Sequence, residues 1–267
     1  MTSKRIAFLG GGNMAEAILG GMLAGDLVLA GNVTAADVSA ERRDWLQKEY
    51  GIDVTADNAE AVRGADVIVL AVKPQQAADA LGSARAALSA EQLLVSICAG
   101  LTTAALEAQV PCRVARVMPN LPAMVCRGVA AVCAGSRAAP GDMDLVERMF
   151  AATGAVVRLS EGRLNEATAL SGSGPGYVFA FMEALERGAV AMGIPSATAR
   201  TMAVETVRGA AELAAQTRED PAELRRRVSS KGGTTLAGLA AMEAGGFSAA
   251  VEAGMKAARD RAAELAR

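Results

Sequence analysis

A glycine-rich turn near the start of the chain has the residue types that bind a dinucleotide. In "AFLGGGNMAEAIL", Gly10, Gly12 and Ala15 match G-x-G-x-x-G/A, directly after an apolar run and at the start of a helical one. Gly10 allows the tight turn, Gly12 lets a pyrophosphate approach the backbone, and Ala15 lets helix and strand pack closely. Asp37 ends the next predicted strand, where an acid binds the ribose. The turn therefore predicts an NAD or NADP site.

The choice between the two cofactors stays open in the sequence. Asp37 favours a free ribose 2′-hydroxyl, whereas Ser39, Arg42 and Arg43, just beyond it, are suited to a 2′-phosphate. Two further stretches, "AVKP" and "CAG", follow predicted strands, at the sheet edge that faces a bound dinucleotide.

A second glycine turn, "VSSKGGTTLAGL", lies close to the C-terminus. It is not a Walker loop, because its lysine precedes the glycines and its neighbours are helical. It instead presents successive backbone amides and the hydroxyls of Ser229, Ser230, Thr234 and Thr235 at the start of a helix. This arrangement predicts a carboxylate-sized anion site, and the alternative is a simple helix cap by a serine or threonine.

The composition excludes several kinds of chemistry. The 267 residues include no histidine, which rules out histidine acid–base catalysis and histidine triads. Four cysteines without a C-x-x-C pair predict buried, reduced thiols, and no metal is expected. A net charge of −2 without a basic block argues against nucleic acid and membrane partners. Without a secretory segment or an apolar run near ~18 residues, we expect a cytoplasmic protein.

The apolar pattern predicts an α/β protein of two domains. Residues 1–159 alternate short apolar runs with helical spacing, which is typical of a doubly wound, Rossmann-like and mostly parallel sheet. Its strands are predicted in "KRIAFLG", "VTAAD", "ADVIVLAV", "LLVSICAG", "CRVARVMPN", "GVAAVCAG" and "GAVVRLS". Residues 160–267 show helical patterns only, broken at "SGSGPG", "GIPS", "EDP", "SSKGGTT" and "GGF". Wide apolar faces in this half predict a homodimer or larger assembly made through it.

Several of these stretches belong together. They are "FLGGGNMAEAI", "AVKPQ", "RVMPNLPA", "LSGSGPGYVFAF" and, above all, "SSKGGTTLAGL" followed by "GGF". In this order they make the whole chain resemble the pyrroline-5-carboxylate reductase family. The resemblance implies reduction of 1-pyrroline-5-carboxylate to L-proline, the last step of proline biosynthesis, by NADPH or NADH, with NADPH favoured. It also implies a small-molecule carboxylate in the second glycine turn and an interlocked helical dimer, often assembled further.

The resemblance also assigns roles to individual residues. The implied cofactor contacts are Gly10, Gly12, Asn13, Met14, Asn58, Ala71, Val72, Lys73, Pro74, Ala99 and Gly100. The implied substrate contacts are Asn120, Ser230, Gly232, Gly233, Thr234 and Thr235. Thr235 corresponds to the catalytic hydroxyl proposed to hydrogen-bond the ring nitrogen. Apart from the resemblance, we expect Tyr177 to pack at the turn after "SGSGPG" with its hydroxyl bonded locally, and its alternative role is that of a proton donor.

Three positions depart from the family pattern. Lys231 stands where the family usually has proline, Leu121 where it has threonine, and Gly176 where it has alanine. A lysine in place of proline frees φ and adds a cation, which loosens the turn and strengthens carboxylate attraction. Two alternatives remain: a reductase for another cyclic imine or a small 2-hydroxy acid, and a non-catalytic NAD(P)-binding sensor.

Overall fold

The computed structural model describes residues 3–265 and places an eight-stranded sheet in the N-terminal part of the chain. The strands are β1 (Ile6–Leu9), β2 (Val33–Ala36), β3 (Asp53–Thr55), β4 (Val67–Leu70), β5 (Leu93–Ser96), β6 (Arg113–Met118), β7 (Gly128–Ala134) and β8 (Gly154–Arg158). Their order is β3-β2-β1-β4-β5-β6-β7-β8. The first six run parallel, β7 is antiparallel to β6, and β8 is parallel to β7. The predicted doubly wound, mostly parallel sheet is confirmed.

Helices cover both faces of this sheet. They are α1 (Asn13–Ala24), α2 (Ala40–Tyr50), α3 (Asn58–Val62), α4 (Ala77–Ala84), α5 (Thr103–Glu107) and α6 (Pro140–Ala151). On β1, Ile6 and Phe8 pack in a cluster with α1, α2 and α6, while Ala7 and Leu9 pack in a second cluster with α3, α4 and α5. Successive side chains of a strand point to opposite faces, so a strand buried on both sides reads as a continuous apolar run.

Strand β3 was absent from the sequence-based expectation. It has only three residues and pairs with β2 alone at the edge of the sheet. Its first residue, Asp53, is exposed, and Val54 and Thr55 are half-buried. A strand this short, with two polar residues of three, carries no apolar run that a sequence pattern can detect.

Beyond Arg158 the described residues form helices and no further strand, as expected. The helices are α7 (Leu164–Ala167), α8 (Gly174–Ala191), α9 (Ser196–Thr217), α10 (Pro221–Arg227), α11 (Thr234–Ala244) and α12 (Phe247–Leu265). Four of the five predicted breaks separate consecutive helices. The fifth, "SGSGPG", overlaps two helical elements. Its first two residues end a π-helical turn, Thr168–Gly172, in which the Ser173 amide donates to the Thr168 carbonyl at 2.8 Å, and its last three residues begin α8. This part of the chain therefore winds more widely instead of opening into a loop.

The chain divides into two compact units. One runs through Ser173 and takes up the chain again from Ala258, and the other spans Gly174–Ala257. Residues just after β8 pack within the first unit, since Leu164 is fully buried against Ala131 and Cys133 of β7. The domain boundary at residues 159 and 160 stays a prediction. None of the helices in residues 3–265 combines the length and apolar character needed to cross a membrane.

Candidate active site

The first glycine turn is shaped by the strand beside it. Gly10 has φ +95°, and a Cβ there would lie 2.9 Å from the carbonyl oxygen of Ala71 and from Val72. Only glycine fits both this backbone and this contact. Gly12 is the N-cap of α1, no side chain caps that helix, and a Cβ at Gly12 would meet nothing within 4 Å. The turn therefore leaves open space in front of the first amides of α1, as a bound pyrophosphate requires.

The carboxylate of Asp37 connects this turn to the end of β2. One oxygen accepts the Gly11 amide at 2.8 Å, and the other accepts the Ser39 amide at 2.9 Å. Each carboxylate oxygen still has a free lone pair, so the predicted ribose contact and this role in holding the turn are compatible.

A cavity of about 560 Å³ lies along the carboxyl ends of β1, β2 and β4. Its lining includes these predicted cofactor residues: Gly10, Gly12, Asp37, Asn58, Ala71, Val72 and Lys73. It also includes residues that the sequence analysis missed, namely Gln76, Asp79, Ala80 and Ser83. The signal for these was the predicted helix after "AVKP", because a helix that follows a parallel strand begins at the same sheet edge.

Asn58 shows how the cavity wall is held together. Its Nδ2 donates to Ser83 Oγ at 2.9 Å, and that hydroxyl donates to the Ala80 carbonyl at 3.0 Å. This bond joins α3 to α4 across the cavity wall. Asn58 is therefore fixed by the protein before any ligand binds.

The other predicted cofactor residues lie beside the cavity lining. Asn13 and Met14 begin α1, and Pro74 begins a short 3₁₀ turn, Pro74–Gln76. Ala99 and Gly100 follow β5, where Gly100 has φ +81°. Next to them the thiol of Cys98 donates to the Val72 carbonyl, with 3.2 Å between sulfur and oxygen. Burial raises the pKa of that thiol to about 11, so it stays protonated at neutral pH.

The side chains considered for a 2′-phosphate already have partners within the protein. Ser39 Oγ accepts the Arg42 amide as the N-cap of α2. The Arg42 guanidinium donates to the Gly11 carbonyl, pairs with Glu16, and lies 4.6 Å from the Trp45 ring centroid. Arg43 donates to the Asp37 carbonyl at 2.7 Å. A 2′-phosphate would therefore have to share or displace these contacts.

The second glycine turn lies in the other compact unit, between α10 and α11. The N-cap of α11 is Gly233, and no side chain caps this helix. The alternative that a serine or threonine caps α11 is therefore wrong. Gly232 has φ +73°, and the Gly233 amide donates to the Ser230 carbonyl at 2.9 Å. A Cβ on Gly233 would collide with the Ser230 hydroxyl. The first amides of α11 have no intrahelical partner, as at any helix N-terminus, and no side chain caps them.

The predicted hydroxyls differ in their surroundings. The Ser229 hydroxyl donates to the Arg225 carbonyl at 2.7 Å, at the C-terminal end of α10. Ser230 and Thr234 are exposed, Thr235 is half-buried, and Lys231 is exposed. Of these hydroxyls, only that of Ser229 is hydrogen-bonded within residues 3–265. The remaining three are available to a ligand.

Asn120 has a structural role in the first unit. Its Oδ1 accepts the Val129 amide at 2.8 Å and its Nδ2 donates to the Ser171 carbonyl at 3.0 Å, with the residue 8% exposed. Its predicted substrate contact stays a prediction, since one Nδ2 hydrogen remains. Tyr177 is 38% exposed, and its hydroxyl has no hydrogen-bond partner among the described residues. No three His, Cys, Asp or Glu side chains of residues 3–265 come together as metal ligands.

Comparison with known proteins identifies the family. A family model for pyrroline-5-carboxylate reductase dimerisation matches residues 161–265, and one for NADP oxidoreductase, coenzyme F420-dependent, matches residues 5–100. The whole chain is 41% identical to the pyrroline-5-carboxylate reductase of Pseudomonas aeruginosa, 98% of which is covered. The chain belongs to the pyrroline-5-carboxylate reductase family. The Synechocystis reductase is 38% identical, with 98% of each chain covered.

Solved structures agree with this membership in the pyrroline-5-carboxylate reductase family. A reductase from Coxiella burnetii superposes with a TM-score of 0.94 at 34% identity, covering 100% of both chains. A pyrroline carboxylate reductase from Plasmodium falciparum with NADP bound has a TM-score of 0.89 at 28% identity, again over 100% of both chains. The expected family and enzyme class are confirmed. The match to the dimerisation model indicates a homo-oligomer.

Proposed function

We propose that this protein reduces 1-pyrroline-5-carboxylate to L-proline with NAD(P)H as the hydride donor. The observation that carries the proposal is the pair of helices, α1 and α11, whose N-caps are glycines and whose first amides are left for anions. One turn suits the pyrophosphate of a dinucleotide, and the other suits a carboxylate. Membership in the reductase family supplies the reaction that joins these two ligands.

The dinucleotide is assigned to the cavity at the carboxyl ends of the strands. A Cβ at Gly12 would meet no atom within 4 Å, so the space in front of this glycine is open. A pyrophosphate can occupy that space, and any side chain at this position would take part of it. Asp37, Asn58 and Lys73 line the same cavity and offer a carboxylate, an amide and a cation to the ribose and phosphates. Bound NAD(P)H supplies the hydride. Asp37 carries a negative charge beside the ribose position, so NADPH is favoured only by the family resemblance.

The substrate carboxylate is assigned to Ser230, Gly232, Gly233 and Thr234. Backbone amides at a helix N-terminus and exposed hydroxyls bind a carboxylate without a dedicated arginine. Lys231, exposed in the same turn, adds a positive charge that attracts the same group.

Thr235 is assigned to the ring nitrogen. Reducing a protonated C=N bond forms a neutral amine and no alkoxide, so a strong acid catalyst is not required. One hydroxyl that orients the nitrogen is enough, which suits a protein without histidine. A 2-hydroxy acid would instead need a general base, and the helical half contains only Lys231 and Lys256 as lysines.

Steady-state assays test this function directly. We expect NADPH and NADH oxidation with pyrroline-5-carboxylate, weaker oxidation with a piperideine carboxylate, and no NAD(P)⁺ reduction by 2-hydroxy acids. Equal or faster turnover of the six-membered ring would favour the reductase for another cyclic imine. Binding of NADPH without turnover of any imine would favour the non-catalytic sensor.

The division of labour and the assembly are also part of the proposal. We assign dinucleotide binding to residues 1–159, and substrate binding and dimerisation to residues 160–267.

Helices α8 and α9 border an apolar groove of about 370 Å³, and the aromatic side chain of Phe179 on α8 is 50% exposed. We propose that helices of a second copy cover this surface, in a dimer or a larger homo-oligomer. Light scattering that finds a monomer at micromolar concentration would contradict it.

A cytoplasmic location belongs to the same proposal. The four cysteines are unpaired thiols, three of them buried. Thiols of this kind are typical of a reducing compartment.

A further inference from the structure

One carboxylate outside both glycine turns is bonded twice to a residue 58 positions away. Glu161, in the 3₁₀ turn that follows β8, accepts the Thr103 amide at 2.5 Å on Oε1 and the Thr103 hydroxyl at 2.6 Å on Oε2. Arg116 of β6 approaches Oε1 at 3.5 Å, and its side chain is 4% exposed. The carboxylate thus ties together three separated segments of the first unit.

These contacts act on the N-terminus of α5. Thr103 is the first residue of that helix, so its amide has no intrahelical partner. Thr102, the N-cap, already uses its hydroxyl to accept the Ala105 amide at 3.1 Å. Glu161 therefore satisfies an amide that the local cap leaves free. Bonds to a carboxylate are roughly twice as strong as those between neutral groups.

The segment that ends at Thr103 contains two of the proposed cofactor contacts. Ala99 and Gly100 lie four and three residues before Thr103, respectively, and the other end of the segment is held where the Cys98 thiol donates to the Val72 carbonyl. Gly100 adopts a positive φ of +81°, and a glycine in the middle of a turn keeps its other conformations open unless both ends are fixed. Val72 lines the cofactor cavity, and Glu161 is the anchor at the opposite end of this turn.

We propose that Glu161 is a positioning residue for the dinucleotide, which fixes the Ala99–Gly100 turn through Thr103. The carboxylate is not part of the cavity lining, and its shortest hydrogen bonds go to Thr103, so its effect on the turn is assigned to that threonine. The buried Arg116 guanidinium lies 3.5 Å from the carboxylate and helps to hold it in place, because a buried cation is costly to leave without its partner. This inference rests on the proposed dinucleotide site.

The test is the affinity for NADPH, measured by fluorescence titration without any imine substrate. We expect Glu161→Gln to raise the NADPH Kd about tenfold, equivalent to about 1.4 kcal/mol. Thr103→Val keeps the shape and the amide but removes the hydroxyl, and should raise Kd by about threefold. Thr103→Ser keeps both donors and is the matched control, with a Kd within about twofold of the wild-type value.

A second readout separates positioning from simple stabilisation. In steady state the KM for NADPH should rise in Glu161→Gln and Thr103→Val, while kcat and the KM for the imine change little. A lower melting temperature with an unchanged NADPH Kd would overturn the proposal, and so would equal Kd values for Thr103→Val and Thr103→Ser. If Glu161→Gln does not fold, the threonine pair decides. A wild-type protein that fails to bind NADPH would instead refute the proposed cofactor site itself, and this inference with it.

Discussion

The two glycine turns solve the same problem in opposite surroundings. Both end in a glycine N-cap that leaves the first amides of a helix free, at Gly12 for α1 and Gly233 for α11. The first turn is enclosed, because Gly10 packs against Ala71 and Val72, which follow β4, and because Asp37 accepts the Gly11 amide. In the second, a Cβ on Gly232 would meet nothing within 4 Å. Glycine is thus required by packing and backbone conformation together at Gly10, and by backbone conformation alone at Gly232.

Other helices show what these two lack. Helices α2, α3, α5 and α10 have as their N-caps Ser39, Asp57, Thr102 and Asp220, and each of these side chains accepts a first-turn amide. Such a cap satisfies the helix internally and removes a donor that a ligand would otherwise use. Both proposed binding turns end instead in a glycine, which has no side chain to cap the helix.

The largest effect is expected for Gly10→Ala. The new Cβ meets the Ala71 carbonyl at 2.9 Å, and a positive φ by itself costs about 1–3 kcal/mol in a residue other than glycine. We expect a clear loss of stability in urea unfolding together with loss of NADPH binding. Gly232→Ala is the matched control, since its φ is also positive and its surroundings are open. Equal destabilisation by the two substitutions would contradict the contrast between an enclosed and an open turn.

Gly12→Ala separates binding from folding within the first turn. Its backbone φ of −68° suits alanine, and a Cβ there enters open space. We expect an unchanged midpoint in urea and an NADPH Kd raised about tenfold or more, because the methyl group takes the place of the pyrophosphate. Unaltered NADPH affinity would argue that the pyrophosphate lies elsewhere.

In the second turn, Thr235→Val should lower kcat/KM by about tenfold or more, on the order of 1.4 kcal/mol. The reason is loss of the hydroxyl that orients the ring nitrogen. Thr235→Ser keeps this hydroxyl and should retain most of the activity. Near-normal turnover of the valine variant would remove Thr235 from the mechanism and direct attention to Tyr177.

Changing Ser230 and Thr234 together to alanine tests the carboxylate assignment. The backbone amides remain, so we expect a moderate effect, with the inhibition constant of proline as a competitive inhibitor raised about tenfold. The NADPH Kd should not change, because the substitutions are confined to the second turn. Unchanged inhibition by proline would place its carboxylate at another site.

The smallest effect is expected for two buried thiols of the first compact unit, Cys98 and Cys133. Burial raises the pKa of Cys98 to about 11, and burial together with the Glu161 charge raises that of Cys133 to about 11, from an ordinary 9.0. Because the pKa of each thiol is higher in the folded than in the unfolded state, the protonated thiols favour folding. Their contribution to the free energy of unfolding is complete below pH 9 and is lost as the pH rises through 11. The melting temperature should therefore fall across pH 9–11, and less steeply in Cys98→Ala.

At pH 8, exposed Cys126 alone should react rapidly with iodoacetamide.

Much of this protein was readable from local sequence. The dinucleotide turn, the apolar strands, the helices after Arg158 and four of the five helix breaks follow from patterns a few residues long. These patterns set backbone conformation and burial directly, so they predict elements and family well. They also identified Gly10 and Gly232, whose positive φ values the structure shows.

Tertiary structure decided the features made by distant residues. Strand β3 forms because β2 offers an edge, and the first two residues of "SGSGPG" end a π turn, Thr168–Gly172, in which the Ser171 carbonyl accepts from Asn120, 51 positions away. The bonds from Thr103 to Glu161 and from Gly11 to Asp37 join segments that no local pattern links. Hydrogen-bond partners between such segments depend on how the elements pack, and packing is a property of the whole folded chain.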